Sequence, residues 1–131
     1  MNITHNVSDL VSRIKNASLA KRRETLIPLS KMNRKILELL VKEGYIDEVK
    51  SEGKENKSLL VRIKYEKRLP IINGINVLSK PSLRLHKNVK EISDLARRGK
   101  HTIVVSTSQG IMTGSDTRKK KIGGEVLFEI W

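Results

Sequence analysis

The sequence predicts an α+β fold: an N-terminal α/β domain over residues 1–68 packed against a C-terminal, mostly β domain over 69–131 with a short helix. Three observations predict it. Two apolar stripes with helical spacing occupy the first third of the chain, at Val7–Ala17 and Met32–Val41. Leu59, Val61, Ile63 and Tyr65 alternate with Leu60, Arg62, Lys64 and Glu66, the signature of a half-buried strand. Beyond residues 66–70 (EKRLP), which read as a linker, short strand-like runs take over. A chain of 131 residues suffices for one ordinary domain or two small ones.

Val7, Leu10, Val11, Ile14 and Ala17 give the first helix one apolar face. Asn6 is the expected N-cap, Asp9 lies near the positive end of the helix dipole, and Lys21–Arg23 are expected to close it. Residues 24–29 (ETLIPL) read as extended, with Pro28 suiting an edge position. Ser30 is placed to cap a second helix with Met32, Ile36, Leu37, Leu40 and Val41 inward and Gly44 as its stop. Tyr45–Lys50 and the alternating run at 59–65 form a predicted hairpin around the polar stretch Ser51–Ser58. In the second half, strands are expected at Ile71–Ser79, around Leu83–His86, at Ile103–Val105 and at the end, where Val126, Phe128 and Ile130 alternate. Val89–Arg97 has room for one or two helical turns.

Lys and Arg number 27 against 14 acids, a formal net charge of +13. Such a field draws polyanions, either nucleic acid or an anionic membrane surface. The span 13–35 alone holds eight basic residues and one acidic one. Aromatic content is only 3%, which argues against a single-strand binder built on rows of stacking rings. Cysteine is absent, so disulfides and thiolate metal sites are excluded. His5, His86 and His101 are far apart, so no structural zinc is expected, and no cofactor. No apolar run approaches the roughly 20 residues that span a bilayer. Residues 1–23 also read as a basic, amphipathic transit peptide, but core spacing within the helix, and the lack of any extra leader before it, favour a first helix of the domain.

Ser106-Thr107-Ser108-Gln109-Gly110 follows directly after an apolar strand. Its hydroxyls can donate to phosphate oxygens and accept from 2′-hydroxyls or base edges, and Gly110 allows close backbone approach. An ordinary polar turn is the bland alternative. Thr113-Gly114-Ser115-Asp116-Thr117-Arg118-Lys119-Lys120-Lys121 comes next; Thr113 or Ser115 suits the cap of a short helix with a basic far end. A solvated charge run explains it equally well. Gly123-Gly124 permit a tight turn before Glu125, which has three readings: a structural ion pair, an orienter of the hydroxyl turn, or an acceptor for a base amino group. Ser79–Lys87 (SKPSLRLHK) reads as a basic, proline-broken connection.

These stretches together resemble small-subunit ribosomal protein eight, a universal bacterial and organellar family. VSTSQGIMTGSDTRKKKIGGEVLFEIW matches the family's C-terminal signature without a gap, at Ser106, Thr107, Ser108, Gly110, Met112, Thr113, Arg118, Gly123, Gly124 and Glu125. SKPSLRLHK, SRIKNAS and EGYI resemble further family segments, so the likeness covers essentially the whole chain. The resemblance implies a structural constituent of the small ribosomal subunit, not an enzyme. It would bind the central domain of small-subunit rRNA and support subunit assembly and translation, among neighbouring small-subunit ribosomal proteins and without a small-molecule substrate or a membrane. It implies that Ser106, Thr107 and Ser108 read RNA with Glu125 in support. Gly110, Thr113, Arg118 and Lys119 belong to the same surface. Arg84 and Lys87 join from the middle segment, and Arg13, Asn16 and Lys31 carry over as secondary phosphate contacts. There are departures. Gln109 stands where a basic residue is usual, Ser82 for glycine, His86 for tyrosine, Gly114 for aspartate, and Lys120 and Lys121 for leucine and glycine; they bear on base-level specificity.

Three rivals predict different behaviour. A general nucleic-acid-binding module outside the ribosome would hold duplex DNA as well as RNA, although no helix-turn-helix pattern is visible. A hydrolase using Ser106 or Ser108 would react with a serine-directed probe, yet there is no Gly-x-Ser-x-Gly elbow. A membrane-surface role for residues 7–23 would show in liposome sedimentation. The Lys-, Ile- and Asn-leaning usage points to an AT-rich genome, and the SKPSLRLHK form to a mitochondrial ribosome, with the gene in the organelle if no leader was removed. Plastid and bacterial cytoplasm are the alternatives.

Overall fold

A computed structural model describes residues 3–52, 57–97 and 101–131, the side chains of residues 3–5, 52 and 97 excepted. The fold is α+β. It divides into two compact units: Asp9–Asn73, and Gly74–Trp131 together with the start of the first helix up to Ser8.

In the first unit, α1 (Ile3–Leu19), which enters it at Asp9, leads to β1 (Glu24–Pro28), α2 (Lys31–Lys42), β2 (Ile46–Glu52) and β3 (Ser58–Ile63). The strands form an antiparallel sheet in the order β1-β3-β2. Pro28, with no N–H to donate, sits on an edge strand as expected. Leu59, Val61 and Ile63 of the central β3 are buried, as are Leu10, Val11, Ile14 and Ala17 of α1 and Ile36, Leu37 and Leu40 of α2. Leu39, outside the expected stripe, is buried too.

The ends of these helices show which local signals held. The Ser30 hydroxyl accepts from the Asn33 N–H (3.0 Å), capping α2. Gly44 closes it in the left-handed region (φ 85°), with Tyr45 N–H donating to Leu40 O at 2.9 Å. Asn6 is not the cap of α1, because the helix already runs from Ile3; an asparagine inside a helix costs well under about 1 kcal/mol, which propagation overrides. Asp9 therefore lies beyond the first turn and pairs with Arg13 one turn on. Lys21 and Arg22 do close the helix, as expected. It ends at Leu19, and Lys21 turns left-handed (φ 53°) while Arg22 N–H reaches back to Ala17 O at 2.9 Å. This is the same closing motif that α2 makes with glycine.

Residues 66–70 are more ordered than a linker. Tyr65–Glu66 (β4) and Leu69–Pro70 (β5) pair in a tight hairpin whose two turn residues, Lys67 and Arg68, are both left-handed. Residues 53–56 of the predicted polar loop lie outside the described residues, while Ser51, Glu52 and Ser58 belong to the strands.

The second unit is built on β10 (Gly124–Ile130). On one side it pairs with β6 (Ile75–Val77) and β7 (His86–Lys87), on the other with β8 (Thr102–Thr107), which pairs in turn with β9 (Gly110–Thr113). α3 (Val89–Arg97) and α4 (Gly114–Lys120) complete the unit. Asn88 and Glu91 cap α3 reciprocally, each side chain accepting from the other's N–H. Ile92, Ile103, Val105 and Val126 form a buried cluster. The predicted alternation in β10 does not hold, since Leu127 is as buried as Val126 and Phe128. A bulge interrupts its register with β8 between Val126 and Phe128, which breaks the two-residue period there. The strand expected over Ile71–Ser79 shortens to Ile75–Val77. Leu83 is exposed in a tight turn that Lys80 and Leu83 close by mutual backbone bonds, so pairing resumes only at His86.

Candidate nucleic-acid interface

The start of β10 organises the candidate site. Gly123 and Gly124 are there because nothing larger fits. A Cβ on Gly124 would collide with the Ser106 carbonyl, and one on Gly123 with the Lys87 carbonyl. Glu125 then stands in register with His86 of β7 and Ser106 of β8.

The Glu125 carboxylate is buried and fully engaged. The Ser79 hydroxyl donates to Oε2 at 2.6 Å, and the Arg84 guanidinium donates to Oε1 from Nη2 at 2.6 Å. Ser79 Oγ also accepts from the Leu85 N–H (3.1 Å), so one serine ties residue 125 to residue 85. Burial pushes the carboxyl pKa up, but the Arg84 and Ser79 hydrogen bonds and the charges of Arg84 and His86 outweigh it and hold it below the ordinary carboxylate range. The same bond and charge raise the Arg84 pKa. Of the three readings of Glu125, the geometry fits the structural ion pair. An acceptor for a base would need a free, reachable oxygen.

Ser79 was missed as a functional residue. Only its position, at the polar end of an alternating strand, distinguished it in the sequence, and it is 1% exposed.

Beside Glu125, β8 and β9 form a hairpin with Thr107 opposite Gly110. The Thr107 hydroxyl donates to Gly110 O at 2.8 Å and accepts from Gln109 N–H at 3.1 Å. Thr107 therefore shapes the turn and has its hydroxyl committed within it. Gly110 (φ 113°) occupies backbone space that side-chain-bearing residues rarely enter. Ser106 is half-buried beside β10, and Ser108 is exposed at the tip.

Thr113 requires a correction as a surface contact. It is 4% exposed, and its hydroxyl accepts from Asp116 N–H (3.1 Å) while Asp116 accepts from Thr113 N–H, a capping box for α4. The expected cap at Thr113 is thus found, and it removes that hydroxyl from the surface. α4 turns the chain back. Its last turn carries Arg118, Lys119 and Lys120, and Lys121 closes it in the left-handed region (φ 55°). Gly124, against Ser106, follows within a few residues. Arg118 and Lys119 are exposed. Lys87 is ion-paired to Glu91 at 3.6 Å.

The structure thus brings together Ser106, Thr107, Ser108, Gly110, Glu125 and Arg84, with Lys87 on the neighbouring strand. Arg13, Asn16 and Lys31 belong to the Asp9–Asn73 unit, where all three are exposed. Arg13 donates to Leu26 O (3.0 Å) as well as to Asp9.

The chain is similar to known proteins along essentially its whole length. The family model described as "Ribosomal protein S8" matches residues 5–131. The chain is 43% identical to small ribosomal subunit protein uS8 of Mycoplasmopsis agalactiae over the whole of both chains. It is 40% identical to uS8 of Trichormus variabilis, covering 95% of this chain and 96% of that one. It is 38% identical to uS8c of Oltmannsiellopsis viridis at the same coverage.

Proposed function

Because the chain belongs to the ribosomal protein S8 family, we propose that it is a structural constituent of the small ribosomal subunit that binds the central domain of small-subunit rRNA and supports subunit assembly and translation. The observation that carries this reading is Ser108, exposed at the tip of the β8–β9 hairpin, whose β8 strand pairs with β10 at Glu125, itself held by Ser79 and Arg84. A-form RNA presents a wide, shallow minor groove lined with 2′-hydroxyls, and its major groove is too narrow for a recognition helix. A narrow hairpin tip carrying small neutral hydroxyls suits such a groove.

In this reading Ser106 and Ser108 exchange hydrogen bonds with riboses or base edges, and the backbone at Gly110 approaches the strand closely. Thr107, Thr113 and Glu125 hold the tip's shape from within. Arg118 and Lys119, with Arg84 and Lys87, neutralise phosphates on either side and release counterions. Arg13, Asn16 and Lys31 serve as secondary phosphate contacts. The domains that perform these roles correspond to residues 1–68 and 69–131. Neighbouring ribosomal proteins are the remaining partners, and no chemical step is assigned.

Competition between small-subunit rRNA fragments, random RNA and duplex DNA at moderate salt tests the reading. One central-domain fragment is expected to displace the others at the lowest concentration. Equal competition by duplex DNA would replace this role with that of a general nucleic-acid-binding module. The form of the SKPSLRLHK segment favours a mitochondrial ribosome, which co-sedimentation of the protein with mitochondrial small subunits, and not with plastid or bacterial ones, would test.

A further inference from the structure

The Asp9–Asn73 unit contains a cavity of about 760 Å³ that none of the roles above uses. Lys21, Arg23, Arg62, Tyr65 and Arg68 line it, with the carboxylates of Glu24 and Asp47. Its walls come from separate elements. Lys21 and Arg23 lie in the connection from α1 to β1, Arg62 on β3, and Tyr65 and Arg68 on the β4–β5 hairpin. Two bonds fix these walls together: Ile63 N–H donates to Arg23 O (2.9 Å), and the Tyr65 hydroxyl donates to Arg22 O (2.5 Å).

The backbone around the cavity is unusual. Lys21, Lys67 and Arg68 are all left-handed, with φ of 53°, 51° and 68°. Side-chain-bearing L-residues enter this region at a steric cost, and a two-residue hairpin turn ordinarily places Asn or Gly there. Strained backbone of this kind concentrates at ligand sites. Two of the three, Lys21 and Arg68, line the cavity.

The lining discriminates among anions. Arg62 is already paired with Glu48 at 3.2 Å, which leaves Lys21, Arg23 and Arg68 as exposed cations. Glu24 and Asp47 would repel an acidic peptide lying across the site. They suit a ligand that presents amino or hydroxyl donors as well as a phosphate. Tyr65, anchored through its hydroxyl, offers a fixed ring for stacking. The volume is in the range of small-molecule sites and far exceeds an inorganic anion. We propose that this cleft holds one 5′-phosphorylated nucleotide, its phosphate against Lys21, Arg23 and Arg68 and its base on the Tyr65 ring. This goes beyond the hairpin reading above and stands or falls without it, because every residue involved belongs to the other unit.

The test is amide NMR of the full chain titrated with 5′-AMP, adenosine, inorganic phosphate and a five-residue oligoadenylate. AMP is expected to move the amides of residues 21–24, 47 and 62–68. Adenosine and phosphate should bind roughly tenfold or more weakly, each lacking either the charge or the ring contact. Tighter binding of the oligonucleotide than of AMP identifies the occupant as part of an RNA strand; equal affinities identify a free nucleotide. Arg68→Ala and Tyr65→Leu should each weaken AMP by about tenfold. Tyr65→Phe keeps the ring and loses only its tether to Arg22 O, so it should retain clearly more binding than Tyr65→Leu. The proposal is overturned if those amides do not respond to AMP, if phosphate alone reproduces the response, or if Tyr65→Phe loses as much as Tyr65→Leu.

Discussion

The two units place their charge differently. In the Gly74–Trp131 unit, Arg84 and Lys87 beside the hydroxyl turn pair with Glu125 and Glu91, the exposed cations collect at the end of α4, from Arg118 to Lys121, and the tip itself carries the neutral Ser108 and Gln109. In the Asp9–Asn73 unit exposed cations are spread over several elements, at Lys15, Lys21, Arg23, Lys31 and Arg68. A neutral tip set apart from the cations separates two tasks that a single basic patch would merge. Fixed, neutral donors and acceptors select a shape, because a mismatched groove leaves them unpaired. Exposed cations supply attraction to any polyanion.

The largest effect that can break this comparison is ionic strength. Raising salt from about 50 to 200 mM should lower rRNA affinity by roughly 10³, if about six phosphates are contacted, while the preference for cognate over random RNA changes much less. A flat response in a filter-binding titration would remove the electrostatic half of the account. Next comes Glu125→Ala, which leaves Arg84 and the buried Ser79 unpaired. It should destabilise the protein by about 1–3 kcal/mol in denaturant unfolding and weaken cognate RNA more than random RNA. The contribution of Glu125 also depends on pH. Its folded-state pKa is depressed, so its stabilisation is complete above the unfolded carboxylate pKa and disappears as pH falls through the lower folded value. The stability gap between wild type and Glu125→Gln should therefore shrink below about pH 4. Ser108→Ala should reduce the cognate-to-random binding ratio by roughly twofold to tenfold, the worth of one neutral hydrogen bond, with little effect on stability. Smallest is Lys121→Gly. Relief of about 1–2 kcal/mol of left-handed strain, less the chain entropy of glycine, should raise stability by about 0.5–1 kcal/mol.

The second helix was legible because all its information is local. Ser30, the apolar stripe and Gly44 lie within one stretch of chain, and each acts through neighbours in sequence. Thr113 was legible as a cap for the same reason, since Asp116 sits three residues on. What stayed hidden was non-local. Glu125 meets Arg84 and Ser79 across 41 and 46 positions, and the pairing of β10 with β6 and β7 and the backbone bonds between them bring these residues together. Leu127 lies at a bulge set by the pairing of β10 with β8, which no pattern within β10 states. Left-handed lysines at 21 and 121 oppose their own preference, so composition pointed away from them. The cavity wall at Tyr65 and Arg68 was hidden by a stretch that reads as a linker. The serines of the candidate site were visible as a motif, but their division of labour was not. Thr107 is turned inward by a bond to Gly110 that depends on the turn geometry.

The central claim is that the hairpin tip meets ribose hydroxyls. The direct test is a double-mutant cycle pairing Ser108→Ala with 2′-deoxy substitution along the cognate rRNA fragment. At one or two nucleotides, deoxy substitution should weaken wild-type binding severalfold and leave the alanine variant unaffected, a coupling of roughly 0.5–1.5 kcal/mol. Additive losses at every nucleotide would contradict the account.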